Sequence, residues 1–105
     1  MNALLVLTNC PEQSIAETIA HAVVASGQAA CVNILTPCQS VYRWQGKIET
    51  ATEIPLLIKS TAENYAALEK IICQHHPYAV PEIIALPITQ GLPAYLQWIS
   101  EENMP

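Results

Sequence analysis

The sequence predicts an α+β domain: an antiparallel sheet with helices on one face, its elements ordered β-α-β-β-α-β, and an extra C-terminal helix. Three observations predict it. Short continuous apolar runs of strand length occur at both ends of the chain. Between them lie two segments whose apolar residues recur at helical spacing. Two further runs meet at Gln45-Gly46-Lys47 and read as a long β-hairpin.

The elements follow in order. Residues 3–8, Ala3-Leu4-Leu5-Val6-Leu7-Thr8, suit a strand covered on both faces. Asn9 or Cys10 then precedes Pro11, and a proline at a first helical position needs no N–H. From Ser14 onward Ile15, Ile19 and Val23 repeat at helical spacing, with Ala16, Ala20 and Val24 one residue on. Gly27 closes that helix as its C′ residue. Residues 30–35 form the second strand, interrupted by Thr36-Pro37-Cys38. Residues 40–44 and 48–59 are the hairpin arms, and Pro55 marks either a bulge or an edge position where no ladder donor is required. Ser60-Thr61-Ala62-Glu63 fits a capping box and starts a helix. Tyr65, Leu68 and Ile72 line one face of it, Ile71 widens that face, and Pro77 ends it. Residues 82–88 supply the last main strand, Gln90-Gly91 turns the chain, and residues 92–99 form the C-terminal helix. This order is the split βαβ, or ferredoxin-like, plan. Without linker, repeat or low-complexity tract, residues 1–105 read as a single domain.

Composition narrows the function. Hydrophobic residues make up 51% and charged residues only 12%. A small domain has little room to bury so much apolar surface, so extra burial between subunits is expected. The net charge of −5 comes from nine Glu against three Lys and one Arg. No basic stripe is present to neutralise phosphates, which speaks against nucleic acid as a partner. The N-terminal run lacks a basic flank and is too short for a signal peptide or a membrane span, so a cytoplasmic protein with no membrane partner is expected. Cys10, Cys31, Cys38 and Cys73 include no C-x-x-C pair, and buried or semi-buried free thiols in a reducing compartment are the simplest reading, above all for Cys31 and Cys73.

The chemistry concentrates at His75-His76-Pro77-Tyr78, where a helix stops and the chain turns toward a strand. Two readings stand. Adjacent helical residues point about 100° apart, but Pro77 takes the backbone out of helical geometry, so both rings can turn toward one metal ion. Alternatively the imidazoles cap the helix, gaining about 0.5 kcal/mol from its dipole when protonated, or pack between subunits. A third ligand must come from another segment, and a thiolate there favours Cu(I) or zinc. Cys10 is the candidate, because a thiol at a helix N-terminus ionises more readily; the alternative is a plain helix-start residue. Tyr42, Trp44, Lys47 and Glu49 cluster at the hairpin turn, either as packing anchors for a neighbouring subunit or beside a ligand cleft lined by Trp44, Tyr78 and Trp98. Glu82, after Pro81, either ligates a metal or pairs with Lys47 or Lys59. There is no phosphate loop, G-x-S-x-G elbow or H-E-x-x-H, and the sole arginine, Arg43, sits mid-hairpin, so an enzyme is not expected.

Several blocks together resemble one family. Ala29-Ala30-Cys31-Val32-Asn33-Ile34, the run from Ser40 to Glu49, Leu57-Ile58-Lys59-Ser60, and His76-Pro77-Tyr78 followed by Val80-Pro81-Glu82-Ile83-Ile84-Ala85-Leu86-Pro87-Ile88 are similar to the CutA divalent-cation tolerance proteins. Gly91, Tyr95-Leu96 and Trp98-Ile99 extend the likeness over nearly the whole chain. The resemblance implies a ferredoxin-like subunit, a homotrimer, and binding of copper or other divalent cations. It also implies a copper site made of a cysteine near the end of the first strand and a His-His pair before Pro-Tyr. The pair falls on His75 and His76. The cysteine position falls on Thr8, and Cys10 stands two residues further on. Thr36-Pro37 and Pro55 are further departures from the family pattern. The rival expectation is a trimeric sensor or scaffold, built like the PII signalling proteins, that holds a small metabolite or partner protein between subunits.

Overall fold

The computed structural model describes residues 2–104. Its elements are β1 (Ala3–Cys10), α1 (Gln13–Ala25), β2 (Cys31–Ile34), β3 (Cys38–Trp44), β4 (Lys47–Thr61), a 3-10 turn (Ala62–Asn64), α2 (Tyr65–His75), β5 (Ile83–Pro87) and α3 (Pro93–Glu102). The sheet runs β2-β4-β1-β5, all antiparallel, and β3 pairs with the outer half of β4. This is the ferredoxin-like order expected from the sequence, with β1 central because its apolar run is flanked on both sides.

Alternation along the strands sets two faces. On one face Val6 and Cys10 of β1 meet Ile54, Leu56 and Ile58 of β4 beneath Ala16, Ile19 and Val23 of α1 and Leu68 and Ile72 of α2. Each fully buried Leu or Ile there stabilises the fold by about 1.5–3 kcal/mol relative to its exposed state. The other face carries Leu5, Leu7 and Leu57, half-buried, with Ile84 and Leu86 of β5 exposed. Only α3 approaches that face: Ile99 is fully buried, and Tyr95 reaches the Cys31 thiol. Part of the apolar excess noted in the composition is therefore left on this side of the sheet, and more of it on the hairpin, where Val41 and Ile48 are exposed.

Some local readings are corrected. Pro11 lies outside α1, whose N-cap is Glu12, and Ala16 N donates to the Glu12 carbonyl at 3.1 Å. The first strand runs on through Cys10, which pairs with Ile54, so Cys10 is a strand residue. The capping box does not form. Ser60 stays in β4, its hydroxyl donates to the Gln28 carbonyl at 2.7 Å, and Thr61 donates to Asn64 Oδ1 instead. The tertiary partner wins over the local cap because it ties two segments of the core edge together.

Pro55 pairs with Asn9 without a bulge in β4. Its carbonyl accepts from Leu35 N at 3.0 Å, so its missing N–H faces the same side, where β2 has ended and β3 has not begun. There residues 35–37 lie opposite residues 54–55, so the extra residue belongs to the partner segment. The hairpin closes on Gln45 and Gly46 alone, both at positive φ (50° and 81°), the two-residue turn that matches strand twist, and Lys47 already pairs with Trp44. Every residue in 41–50 is exposed, and the molecule is 44 Å long against 25 and 23 Å across. At the C-terminus of α1, Gly27 has φ +80°, and a Cβ there would stand 2.8 Å from Met104 Cβ. Gly27 O also accepts from Met104 N at 2.8 Å, so the glycine lets the C-terminal segment lie directly on the helix end.

Candidate functional site

Pro77 stops α2 at His75, and His76, forced out of helical geometry, takes φ −88° and ψ 130° while its N–H still caps the Ile72 carbonyl at 2.9 Å. That extended conformation swings the His76 ring inward, where it is buried. Nε2 lies 2.7 Å from the Asn9 carbonyl oxygen, and Nδ1 accepts the Tyr78 N–H at 3.3 Å. A carbonyl accepts and an amide donates, so the ring is neutral and carries its proton on Nε2. The Tyr78 ring packs against it at 4.7 Å. Both imidazole nitrogens are thus committed to backbone partners. His75, in the last turn of α2, is exposed.

Cys10 is fully buried, and burial, with the Glu53 carboxylate adding to it, pushes its thiol up to about 11. A buried strand end gives the opposite of the helix N-terminal environment that favours a thiolate, so near neutral pH Cys10 is a thiol. Thr8 sits two residues earlier on the same face, buried, and its Oγ1 has no hydrogen-bond partner among the described residues. Among those residues no three His, Cys, Asp or Glu side chains are grouped to hold one metal ion. His75, His76 and Cys10 therefore do not meet as one ligand set within a single chain: one faces solvent, one is tied to Asn9, and one is a protonated core thiol. A copper ion bound by all three does not fit this arrangement.

Beside the corner lies a cleft of about 580 Å³, lined by Ser40, Val41, Tyr42, Trp44, Glu53, Tyr78, Ala79, Val80 and Glu82. The root of the hairpin supplies one wall and the residues after Pro77 the other. Glu53 is buried at its inner side, where Oε2 accepts the Tyr78 hydroxyl at 3.1 Å. Burial and then the Glu53 partner push the Tyr78 phenol up to about 12. Glu82 stands exposed at the rim and accepts from Asn9 Nδ2 at 3.2 Å, while Lys59 donates to Asn33 Oδ1, so of the two lysines named for Glu82, Lys47 or Lys59, the latter is engaged elsewhere. Trp98 is not in this cleft; it lies on α3, stacked on Tyr95 at 5.6 Å. Glu53 escaped the sequence reading, although a lone carboxylate just before the continuous apolar run Ile54-Pro55-Leu56-Leu57-Ile58 was a signal that it meets something other than water.

Fold and corner together define a class: a ferredoxin-like subunit with a protruding hairpin and a helix stopped by a His-His-Pro corner. The comparisons place the chain within that class. The family profile for the CutA1 divalent ion tolerance protein matches residues 4–102. The Divalent-cation tolerance protein CutA of Thermus thermophilus is 44% identical over 99 residues, 94% of this chain and 96% of that one. Protein CutA of Mus musculus is 44% identical over 92 residues, 88% of this chain, which spans only 52% of the mouse protein. The crystal structure of CutA from Xylella fastidiosa superposes with a TM-score of 0.95 at 44% identity, covering 99% of this chain and 100% of that one. The chain belongs to the CutA family of divalent-cation tolerance proteins.

Proposed function

We propose that this CutA-family chain acts as a cytoplasmic homotrimer that binds divalent cations, copper among them, and is a binding protein rather than an enzyme. The observation that carries the reading is the apolar face of the sheet, where Leu5, Leu7 and Leu57 are half-buried and Ile84 and Leu86 exposed, together with Ile48, exposed on the hairpin arm outside the cleft. Two such surfaces on one small chain fit burial against copies of itself. Family membership supports the cation role, and His75 is the imidazole open to an ion. Since the described residues of one chain group no three ligands, the remaining ligands in this reading come from a neighbouring copy or from solvent. Sedimentation equilibrium tests the assembly: three chains per particle support it, and a stable monomer overturns it. Calorimetry with Cu(I) and Cu(II) on the protein and its His75→Ala variant tests the site. Equal affinity in the two would remove His75 from it.

The cleft at Glu53 and Tyr78 favours a second reading, a PII-like sensor that holds a small metabolite. Its volume falls in the range of small-molecule sites, and its aromatic walls with a few polar groups match their usual make-up. Saturable binding of a small molecule that Tyr42→Ala or Tyr78→Ala abolishes would support it, and its absence across a broad metabolite screen would count against it.

A further inference from the structure

We propose that the Glu53 cleft takes a small organic ammonium ion, an alkylamine in its protonated form. This rests on the metabolite-cleft reading and names its ligand class. Glu53 is more than nine-tenths buried at the inner wall, and only one of its oxygens is engaged: Oε2 accepts the Tyr78 hydroxyl, while Oε1 has no hydrogen-bond partner among the described residues. Among the described residues the sealed side-chain atoms without a partner are Thr8 Oγ1 and Asn103 Oδ1, so Oε1 is open to solvent at the cleft wall. A carboxylate oxygen open to a half-enclosed cleft accepts a ligand's donor, and a charged donor binds it most strongly. None of the described residues lining the cleft is a Lys, Arg or His; the hairpin cations, Arg43 and Lys47, the latter paired with Trp44 at the tip, lie outside the lining.

The remaining walls select the shape of that cation. Trp44, Tyr42 and Tyr78 present aromatic faces, whose negative centres attract ammonium groups, and Val80 adds apolar surface for an alkyl chain. Glu82 places a second carboxylate at the rim, where it raises the local concentration of cations. A hard divalent metal fits this site less well. It asks for six or more oxygen ligands or a shell of retained water, whereas the lining offers two carboxylates and three aromatic rings. An alkylammonium uses all of it: the head on Glu53 Oε1, the α-carbons over the rings, the tail against Val80.

The test titrates the assembled protein with n-butylammonium, n-butanol and butanoate at fixed ionic strength. It reads Trp44 fluorescence in a Trp98→Phe background, with calorimetry alongside. The inference expects saturable binding of n-butylammonium, with n-butanol and butanoate weaker by about tenfold or more. Glu53→Gln should lose roughly tenfold of that affinity, and the rim variant Glu82→Gln about two- to fivefold. Should Glu53→Gln fail to fold, the ligand panel on the unsubstituted protein and Glu82→Gln still decide. Binding of n-butanol or butanoate as tight as the amine overturns the ammonium assignment and leaves the cleft reading standing. Unchanged amine affinity in a folded Glu53→Gln also overturns it. If no member of the panel binds, the ammonium assignment falls, and the metabolite-cleft reading is decided separately by the broad metabolite screen.

Discussion

His76 Nε2 lies 2.7 Å from the Asn9 carbonyl oxygen, across 67 residues of sequence, and so ties the end of α2 to the end of β1. The ring's other nitrogen holds the Tyr78 N–H, which sets the turn that carries Tyr78 to Glu53. One buried imidazole thus positions the wall of the cleft.

That bond predicts a specific loss. His76→Ala leaves the Asn9 carbonyl and the Tyr78 amide without their partner and opens a cavity beside the Tyr78 ring. A destabilisation of about 2–4 kcal/mol is expected in urea unfolding. His76→Gln, which can still donate to Asn9, should lose less. Equal stability of His76→Ala and the parent would show that the corner is held by Pro77 alone.

Thr8 makes the opposite prediction. Its hydroxyl is buried in the core face and has no partner, so the fold bears its desolvation without a hydrogen bond in return. Thr8→Val keeps the shape and removes the polar atom. It should raise stability by about 1 kcal/mol, seen as a higher denaturant midpoint at unchanged m-value. A lower midpoint would mean that the hydroxyl has a partner in solution, such as a buried water.

The Cys10 thiol gives a pH dependence with a definite sign. Its pKa rises from about 9.0 to about 11 on folding, so between these values the unfolded chain loses the proton while the folded chain keeps it. Stability from this group is therefore complete below pH 9 and is lost as pH rises through 11. The full effect is roughly 2–3 kcal/mol for a shift of this size. Stability profiles of the protein and Cys10→Ala should converge in alkali by that amount, and parallel profiles would remove Cys10 as the cause. In the same experiment the exposed Cys73 should react with a thiol reagent at pH 8 while Cys10 stays protected.

What the sequence disclosed, and what it withheld, follows from the range of the interactions. The hairpin was legible because Gln45-Gly46 is a local turn signal, and the helix stop was legible because Pro77 acts on its own neighbour. Ile19, Val23, Leu68 and Ile72 were legible as core because helical periodicity alone assigns a buried face. The failures are all tertiary. Ser60 looks like an N-cap until Gln28 takes its hydroxyl, and Cys10 looks like a helix-start thiol until pairing with Ile54 of β4 makes it the last residue of the strand. His76 reads as a ligand or a cap, because nothing near it in sequence names Asn9 as its partner. Glu53 was missed for the same reason: Tyr78 lies 25 residues away.

The uncovered sheet face yields the last prediction. Leu86 is 45% exposed, pairs with Leu5 across the ladder, and points away from the helix-covered core. A glutamate there meets solvent in a lone chain, so Leu86→Glu should leave a folded subunit with unchanged helical content. In the proposed trimer, if copies pack through this face, the same carboxylate is buried among Leu5, Leu7 and Ile84 of the apolar patch without a partner, a change that costs several kcal/mol at each interface. Sedimentation should then shift from the assembled particle to a single chain, with the melting temperature becoming independent of concentration. Ile48→Glu, at 71% exposure on the hairpin arm, separates the two surfaces. If only the sheet-face variant dissociates, that face holds the assembly and the arm merely lies against a neighbour. If Leu86→Glu stays fully assembled, the face is covered by something other than a copy of this chain.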